Sequence, residues 1–586
     1  MFGRVLNIND TFVQIENLKK TIEANVIGIH IVFDEGDRKF VGEVIGVTNE
    51  VIDISLIGEI RDNNFFVGIT RRPVFSNIAR IITKPELELL IGQQDVSNKN
   101  TMMMGNSVVY DGFKVSSDLN DFFSNHFAIL GNTGSGKSCG VARLIQNLYN
   151  VNDGMLPTNS HLVLFDVYGE YNSALCDLSK LPGINFKAYS TNISMVDTDL
   201  IKIPPYFLEV DDLALLLHCT SASQLPVIEN ALKLVYIFTS KDERIMQYKN
   251  DIIAKALLDI LSSGATSTQI RDQVIAVLSK FNTESLNLDT IISQPGYNRT
   301  LKQCLLIDNQ GKMNAVGLVV DMLQEFTKTT FDKIEIIGDL VYTLDDLYYA
   351  FEFALINEGI FNSTNVYELA NPLKVRLQSI LNSDYRKFFD FNEVISKEEY
   401  ILRFFRAANG ENAQLVNINF SFIEERFSKV LTKIFSKMFF NYTTSLKDRT
   451  SYPIHIILEE AHRYVQKDND LDVIGYNIFD RITKEGRKYA CVLGFITQRP
   501  SELSNTSLSQ CSNFVCFKLF HPDDLDIVGS ISSSVNTDMI KRLKNLRPGN
   551  ALVFGNAFKI PLMVKMELPN PMPQSTNVDL VQQWYK

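Results

Sequence analysis

A chain of 586 residues is longer than one hydrophobic core usually supports, so roughly two to four domains are expected. With 45% hydrophobic and 21% charged residues, the composition excludes a disordered chain, and no apolar run reaches the roughly 18 residues a membrane span needs. A net charge of -11 excludes a surface that is basic all over, while leaving room for a local basic channel.

The opening residues, MFGRVLNINDTF, lack the apolar core of a signal peptide. The seven cysteines are scattered without a CxxC pair, which predicts reduced thiols in a cytoplasmic protein. Residues 1–95 read as short Val- and Ile-rich strands ("RVLNI", "TFVQIE", "NVIGIHIVF", "FVGEVIGV", "VIDISLIGEI") broken by Gly, Asn and Asp turns. Strands so evenly spaced predict a small β-barrel, with an open sheet packed on the next domain as the other arrangement. The polar stretch "GQQDVSNKNTMMMGN" reads as a linker.

From residue 107 the pattern becomes α/β. "HFAIL" is a short buried strand, a glycine-rich turn follows, and "SCGVARLIQNLYN" is a helix. "HLVLFDVYGEY" is a second apolar strand ending in carboxylates. Residues 205–409 are mostly helical by their i, i+3, i+4 apolar spacing. Strands return in "AQLVNINF", "IHIILEE", "CVLGFIT" and "NFVCFKLF", with helices expected at 422–440 and 474–489. Strands alternating with helices predict a parallel sheet. The chain then divides into a barrel (1–95), a first part of an α/β core (107–204), a helical insertion (205–409), a second part of the core (410–568) and an extended arm (569–586) suited to lying on a neighbouring surface.

Gly131, Asn132, Thr133, Gly134, Ser135, Gly136, Lys137 and Ser138 fit G-x-x-x-x-G-K-[ST] in full, between a strand and a helix. Glycines there let backbone N–H groups, through Cys139, close around phosphate oxygens, at the positive end of the following helix. Lys137 would place a charge on the β- and γ-phosphates of ATP, and the Ser138 hydroxyl would ligate Mg²⁺. Such a loop needs carboxylates for the metal and for the attacking water. Glu459 and Glu460, at the end of "IHIILEE", are the best candidates, Glu459 for Mg²⁺ and Glu460 for the water. Gln498 follows the strand "CVLGFIT" and would touch the γ-phosphate or the water, or else cap the strand. Arg481 and Arg487 precede that strand. Either would stabilise phosphoryl charge across a subunit boundary, or simply face solvent. Asp166 and Glu170 would join the metal's surroundings or close a turn. Arg463 and Lys467, after the acidic strand, mark a loop that would either face a channel or be an ordinary polar loop.

Together "HFAILGNTGSGKS", "LVLFDVYGEY", "IHIILEEAHRY", "ITKEGRKYACVLGFITQRPSEL" and "LRPGNALVFG" resemble the HerA family, in the HerA–FtsK branch of P-loop ATPases. The resemblance implies a RecA-like core, a barrel before it, and a ring, usually a hexamer, with nucleotide between subunits and double-stranded DNA through the centre. Lys137, Ser138, Glu459, Glu460 and Gln498 would then act from one subunit and Arg487, or next Arg481, from its neighbour. The family often has Asp where Glu459 stands. It also implies an effector partner, a nuclease or a sirtuin-like NAD-consuming enzyme, as in anti-phage systems. The function expected is an ATP-driven DNA translocase or helicase. The rival is a nucleotide-switched scaffold that activates a partner enzyme without transport.

Overall fold

Alternating Val, Ile and Phe positions fold into β1 (Gly3–Ile8), β2 (Phe12–Glu16), β3 (His30–Glu35), β4 (Arg38–Val47), β5 (Val51–Arg61), β6 (Asn64–Val67) and β7 (Ile78–Ile81). The order β2-β1-β7-β3-β4-β5 closes through a β2–β5 pairing, with β6 as a flap on β5. The N-terminal strands are therefore a closed barrel, and closure removes the sheet edges. Register shifts at Val41/Gly42 and Val44/Gly46 bend β4 between its partners. Val13, Ile15, Ile31, Phe33, Phe40, Val44, Ile52 and Ile54 fill the interior.

In this computed structural model the described residues are 3–10, 12–17, 26–92, 100–149, 156–192, 194–195, 197–240, 242–327, 340–361, 364–466, 470–532, 535–575 and 580–585. They form two units: residues 1–201, 398–468 and 477–586, and residues 202–397 with 469–476. The first unit carries the barrel together with β8 (Thr101–Ser107), β9 (Lys114–Asp118), β10 (Phe127–Leu130), β11 (His161–Asp166), β12 (Phe186–Ser190) and β13 (Asp199–Leu200). The second unit is helical, with long helices at Leu225–Thr239, Glu243–Ser262 and Ser267–Lys280, and one hairpin, β14 (Ile291–Gln294) and β15 (Tyr297–Thr300). Its helices start on side-chain caps at Asp242 and Thr266. The first unit resumes with β16 (Leu415–Asn419), β17 (Ile454–Leu458), β18 (Cys491–Thr497), β19 (Asn513–Cys516), β20 (Asn550–Gly555) and β21 (Leu562–Lys565).

A 12-stranded sheet runs β13-β12-β16-β11-β17-β18-β10-β19-β20-β21-β8-β9. It is parallel from β13 to β19 and antiparallel beyond. β10, β11, β16, β18 and β19 are buried along their whole length, as expected of a parallel sheet covered on both faces. One apolar cluster runs from Val32 and Val41 of the barrel through Met102 and Met104 to Phe127 and Ile129, so the barrel and the sheet share a core.

Three expectations need correcting. The stretch read as a linker ends in β8 from Thr101, where Met102 and Met104 alternate inward; residues 93–99 lie outside the described residues. The helix expected at 422–440 is Glu425–Ser445, and the one expected at 474–489 is Ile478–Glu485 followed by a 3₁₀ turn, Gly486–Tyr489. Residues 398–409 pack with the sheet rather than with the helical unit: Phe404 stacks on Tyr189, ring centroids 4.7 Å apart.

Candidate nucleotide site at the carboxyl edge of the sheet

The P-loop follows β10. Gly134 and Gly136 take φ values of 73° and 91°, which favour glycine. A Cβ on Gly136 would fall 2.6 Å from the backbone nitrogen of Gly549, whose N–H donates to Ser135 O (2.9 Å). The "RPGN" turn therefore clamps the loop from outside. The Asn132 N–H donates to Lys518 O (3.0 Å), and its Oδ1 accepts from the Phe520 N–H (3.1 Å). Asn132 thus anchors the loop to the chain after β19. The Gly140 N–H reaches Gly136 O (2.8 Å), opening the helix Lys137–Tyr149, whose free first-turn N–H groups face the same edge.

The sheet order β11-β17-β18-β10 sets four strand ends side by side. Glu459 and Glu460 follow β17, Gln498 follows β18, the P-loop follows β10 and Asp166 ends β11. Lys137 Nζ lies 3.3 Å from Glu460 Oε1, with both side chains buried. Gln498 donates from Nε2 to Glu460 Oε1 (2.5 Å) and accepts at Oε1 from the Thr133 hydroxyl (2.5 Å). One amide thus ties the P-loop to the acidic strand end. Glu460 is held at φ 47°, ψ 47°, a left-handed conformation that strains a non-glycine residue.

Glu459 Oε2 accepts from the Val167 N–H (2.9 Å). Asp166 accepts from the N–H groups of Glu170 and Tyr171 (3.0 Å each) and from Asn417 Nδ2 (3.2 Å). Its carboxylate closes the turn after β11, beside Glu459. Burial, reinforced by its neighbour, raises the Glu459 carboxyl well above the usual range, and burial raises Asp166 with it. Burial lowers the Lys137 ammonium against the pull of Glu460 and Glu459. Glu170, half-buried, is raised by burial against a hydrogen bond from the Ser138 hydroxyl, which sets this carboxylate beside the residue expected at the metal.

This donor set fits a magnesium nucleotide. Ser135 Oγ and Glu460 Oε2 are buried without hydrogen-bond partners, next to Lys137 and a helix N-terminus. Among the described residues no three His, Cys, Asp or Glu side chains are arranged to hold a metal on their own. Mg²⁺ does not require that, because phosphate and water supply most of its ligands.

The arginines lie elsewhere. Arg487 is exposed and neighbours His126, which precedes β10; its charge, after burial, helps hold that imidazole down at about 4. Arg481 packs its guanidinium 5.4 Å over the Phe440 ring, 3.9 Å from Glu485. Both precede β18, at the amino edge of the sheet, so neither reaches the P-loop of its own chain. Arg463 donates to the Tyr168 hydroxyl (2.8 Å) and stacks on its ring, which makes it a fixed side chain. Lys467 lies outside the described residues. The C-terminal arm begins after Pro569. Up to residue 575 it lies on its own chain: Gln146 donates to Pro571 O (3.0 Å) and accepts from the Asn570 N–H (2.9 Å), and the Gln574 N–H donates to Glu170 O (2.9 Å). Half-buried Cys139 is hydrogen-bonded to Ser575.

Sequence reasoning missed His462 and Thr497. His462 Nδ1 sits 3.0 Å from Thr497 Oγ1 and 3.3 Å from Glu460 Oε2, and burial lowers its pKa. The only signal was a histidine two places after the acidic pair. Among the described residues no helix is long and apolar enough to cross a membrane.

The model of the central domain of the helicase HerA matches residues 102–303. The DNA double-strand break repair helicase HerA of Pyrococcus furiosus is 23% identical over 535 residues, covering 90% of this chain and 79% of that protein. The protein of the same name from Sulfurisphaera tokodaii is 21% identical over 594 residues, covering 97% and 94%. Among solved structures, VirB4 of Thermoanaerobacter pseudethanolicus aligns with a TM-score of 0.44 at 12% identity, covering 80% of this chain and 97% of that one. With its P-loop in a strand–turn–helix setting, the chain is similar to HerA helicases along nearly its whole length.

Proposed function

We propose that this protein is a ring-forming, ATP-hydrolysing motor that moves along or unwinds double-stranded DNA and works with an effector protein. The observation that carries this reading is the convergence of Lys137, Glu460, Gln498 and Thr133 within hydrogen-bonding reach at one sheet edge. DNA as the track is supported by the relatives, which are named as DNA double-strand break repair helicases.

In this reading Lys137 and the P-loop N–H groups bind the triphosphate, with Ser138, Glu459 and Glu170 positioned to hold Mg²⁺. The metal, when bound, supplies charge that offsets the negative charge building on the phosphoryl oxygens. Glu460 orients the attacking water and accepts its proton. Gln498 bridges Thr133 and Glu460, so rearrangement at the phosphate reaches β18 directly. Arg487, at the opposite edge, would complete the site of an adjacent copy, which is why a ring is part of the proposal.

The test is Glu460→Ala. ATP hydrolysis should fall about 100-fold or more while ATP-analogue binding stays within about twofold of wild type. Wild type should hydrolyse ATP faster with duplex DNA and displace or travel along it. Hydrolysis indifferent to DNA, with partner activation by a non-hydrolysable analogue, would favour the scaffold instead. Unchanged turnover in Glu460→Ala would remove the assignment.

A further inference from the structure

The two oxygens of Glu460 are treated differently. Oε1 accepts from Gln498 and faces Lys137, whereas Oε2 is buried and makes no hydrogen bond. His462 Nδ1 stands 3.3 Å from Oε2, off hydrogen-bond geometry, and 3.0 Å from Thr497 Oγ1. Residues two apart on a helix do not face each other. Here the left-handed step at Glu460 and the 3₁₀ turn Ala461–Arg463 fold the chain back, so that the ring comes to lie beside the carboxylate. Thr497 ends β18 one residue before Gln498, and its hydroxyl oxygen accepts from the Arg499 N–H (3.0 Å). A single ring nitrogen therefore stands between the strand end that carries Gln498 and the carboxylate that Gln498 holds.

We infer that His462 is a positioning residue for Glu460: its Nδ1, anchored on Thr497 Oγ1 and standing 3.3 Å from Glu460 Oε2, holds the carboxylate in the orientation that receives a proton from water. The inference rests on the reading of Glu460 given above. In this inference His462 acts through Glu460 and not on the nucleotide or the water itself. Its effect is on how often Glu460 points correctly, and therefore on kcat and not on nucleotide affinity.

Three variants of the full chain test it. In His462→Asn the amide nitrogen falls where Nδ1 was; in His462→Gln it falls near Nε2; His462→Ala supplies neither. The expected result is a drop in kcat of about tenfold or more for Ala and Gln, recovery to within about threefold of wild type for Asn, and an unchanged Kd for a fluorescent ATP analogue in all three. A purely structural role would lower thermal stability without separating Asn from Gln. If Ala does not fold, the Asn–Gln pair decides alone, because both fill the space. Wild-type kcat in Ala, or equal losses in Asn and Gln, would overturn the inference and leave the proposed function intact. A Glu460→Ala variant that still hydrolyses ATP would overturn both.

Discussion

Gly136 takes a φ of 91°, and a methyl group there would run into the backbone of Gly549 rather than into a yielding side chain. Gly136→Ala is expected to cost about 2 kcal/mol or more, from backbone strain plus the clash, and to lose nucleotide binding, measured by urea denaturation and analogue titration. Glu43, buried in β4 of the barrel, is pushed up to about 7 by burial, against Arg542 at 3.4 Å. A carboxyl raised in the fold is happiest protonated, so its share of stability is whole below about 4.5 and is lost as pH rises through 7. Glu43→Gln should therefore gain about 3 kcal/mol over wild type at pH 8 relative to the difference at pH 4, read from urea midpoints. His30, lowered to about 4 by burial, has the opposite slope but is common to both proteins and cancels. The P-loop residues, Glu459, Glu460 and Gln498 could be picked out because each ends or follows an apolar strand. The clamp by Gly549 could not, since its partner is more than 400 positions away in the chain.

β18 is the element on which the site depends. It lies between β17 and β10, it is buried along its whole length, and it ends at Thr497, so that it delivers Gln498 between the acidic pair and the P-loop. Gly494 is paired with Phe127 and a Cβ there would press on that aromatic ring. Gly494→Val is expected to cost about 1–3 kcal/mol by overpacking and to reduce hydrolysis more than its stability loss accounts for, by displacing Gln498; comparing Tm with kcat checks this. The other element-scale feature is the C-terminal arm. Gln146 of the P-loop helix satisfies backbone groups of Asn570 and Pro571. Gln146→Ala should release the arm and speed proteolysis between residues 568 and 575, because that backbone loses its partners. The polar, proline-marked sequence of the arm reads as extended and stops there; the surface it covers depends on where Gln146 and Glu170 stand in the fold.

For the molecule as a whole, the distance between the two edges of the sheet matters most. The P-loop sits at the carboxyl ends of the strands, and Arg487 at the amino ends. If copies assemble so that one chain's Arg487 meets the next chain's site, two inactive variants should complement. Arg487→Ala and Lys137→Ala, each without hydrolysis alone, are expected to regain part of the activity when mixed, through boundaries that receive one intact half from each. No recovery, with assembly intact by light scattering, would place the charge-stabilising group elsewhere. The net charge of -11 adds a condition to the proposed function: if the motor acts on DNA, contact must come from a local basic lining, and binding should weaken steeply with salt.

The one-dimensional order of residues determined the P-loop, the α/β alternation, the strand-rich N-terminus and the helical middle, because turn glycines, strand-end carboxylates and apolar periodicity are local properties. It did not determine which strands are neighbours. That β18 separates β17 from β10, that the barrel closes through β2 and β5, and that His462 lies beside Glu460 were decided only by the packed structure. Strand order and side-chain proximity depend on long-range burial and hydrogen bonding, which no short window of sequence contains.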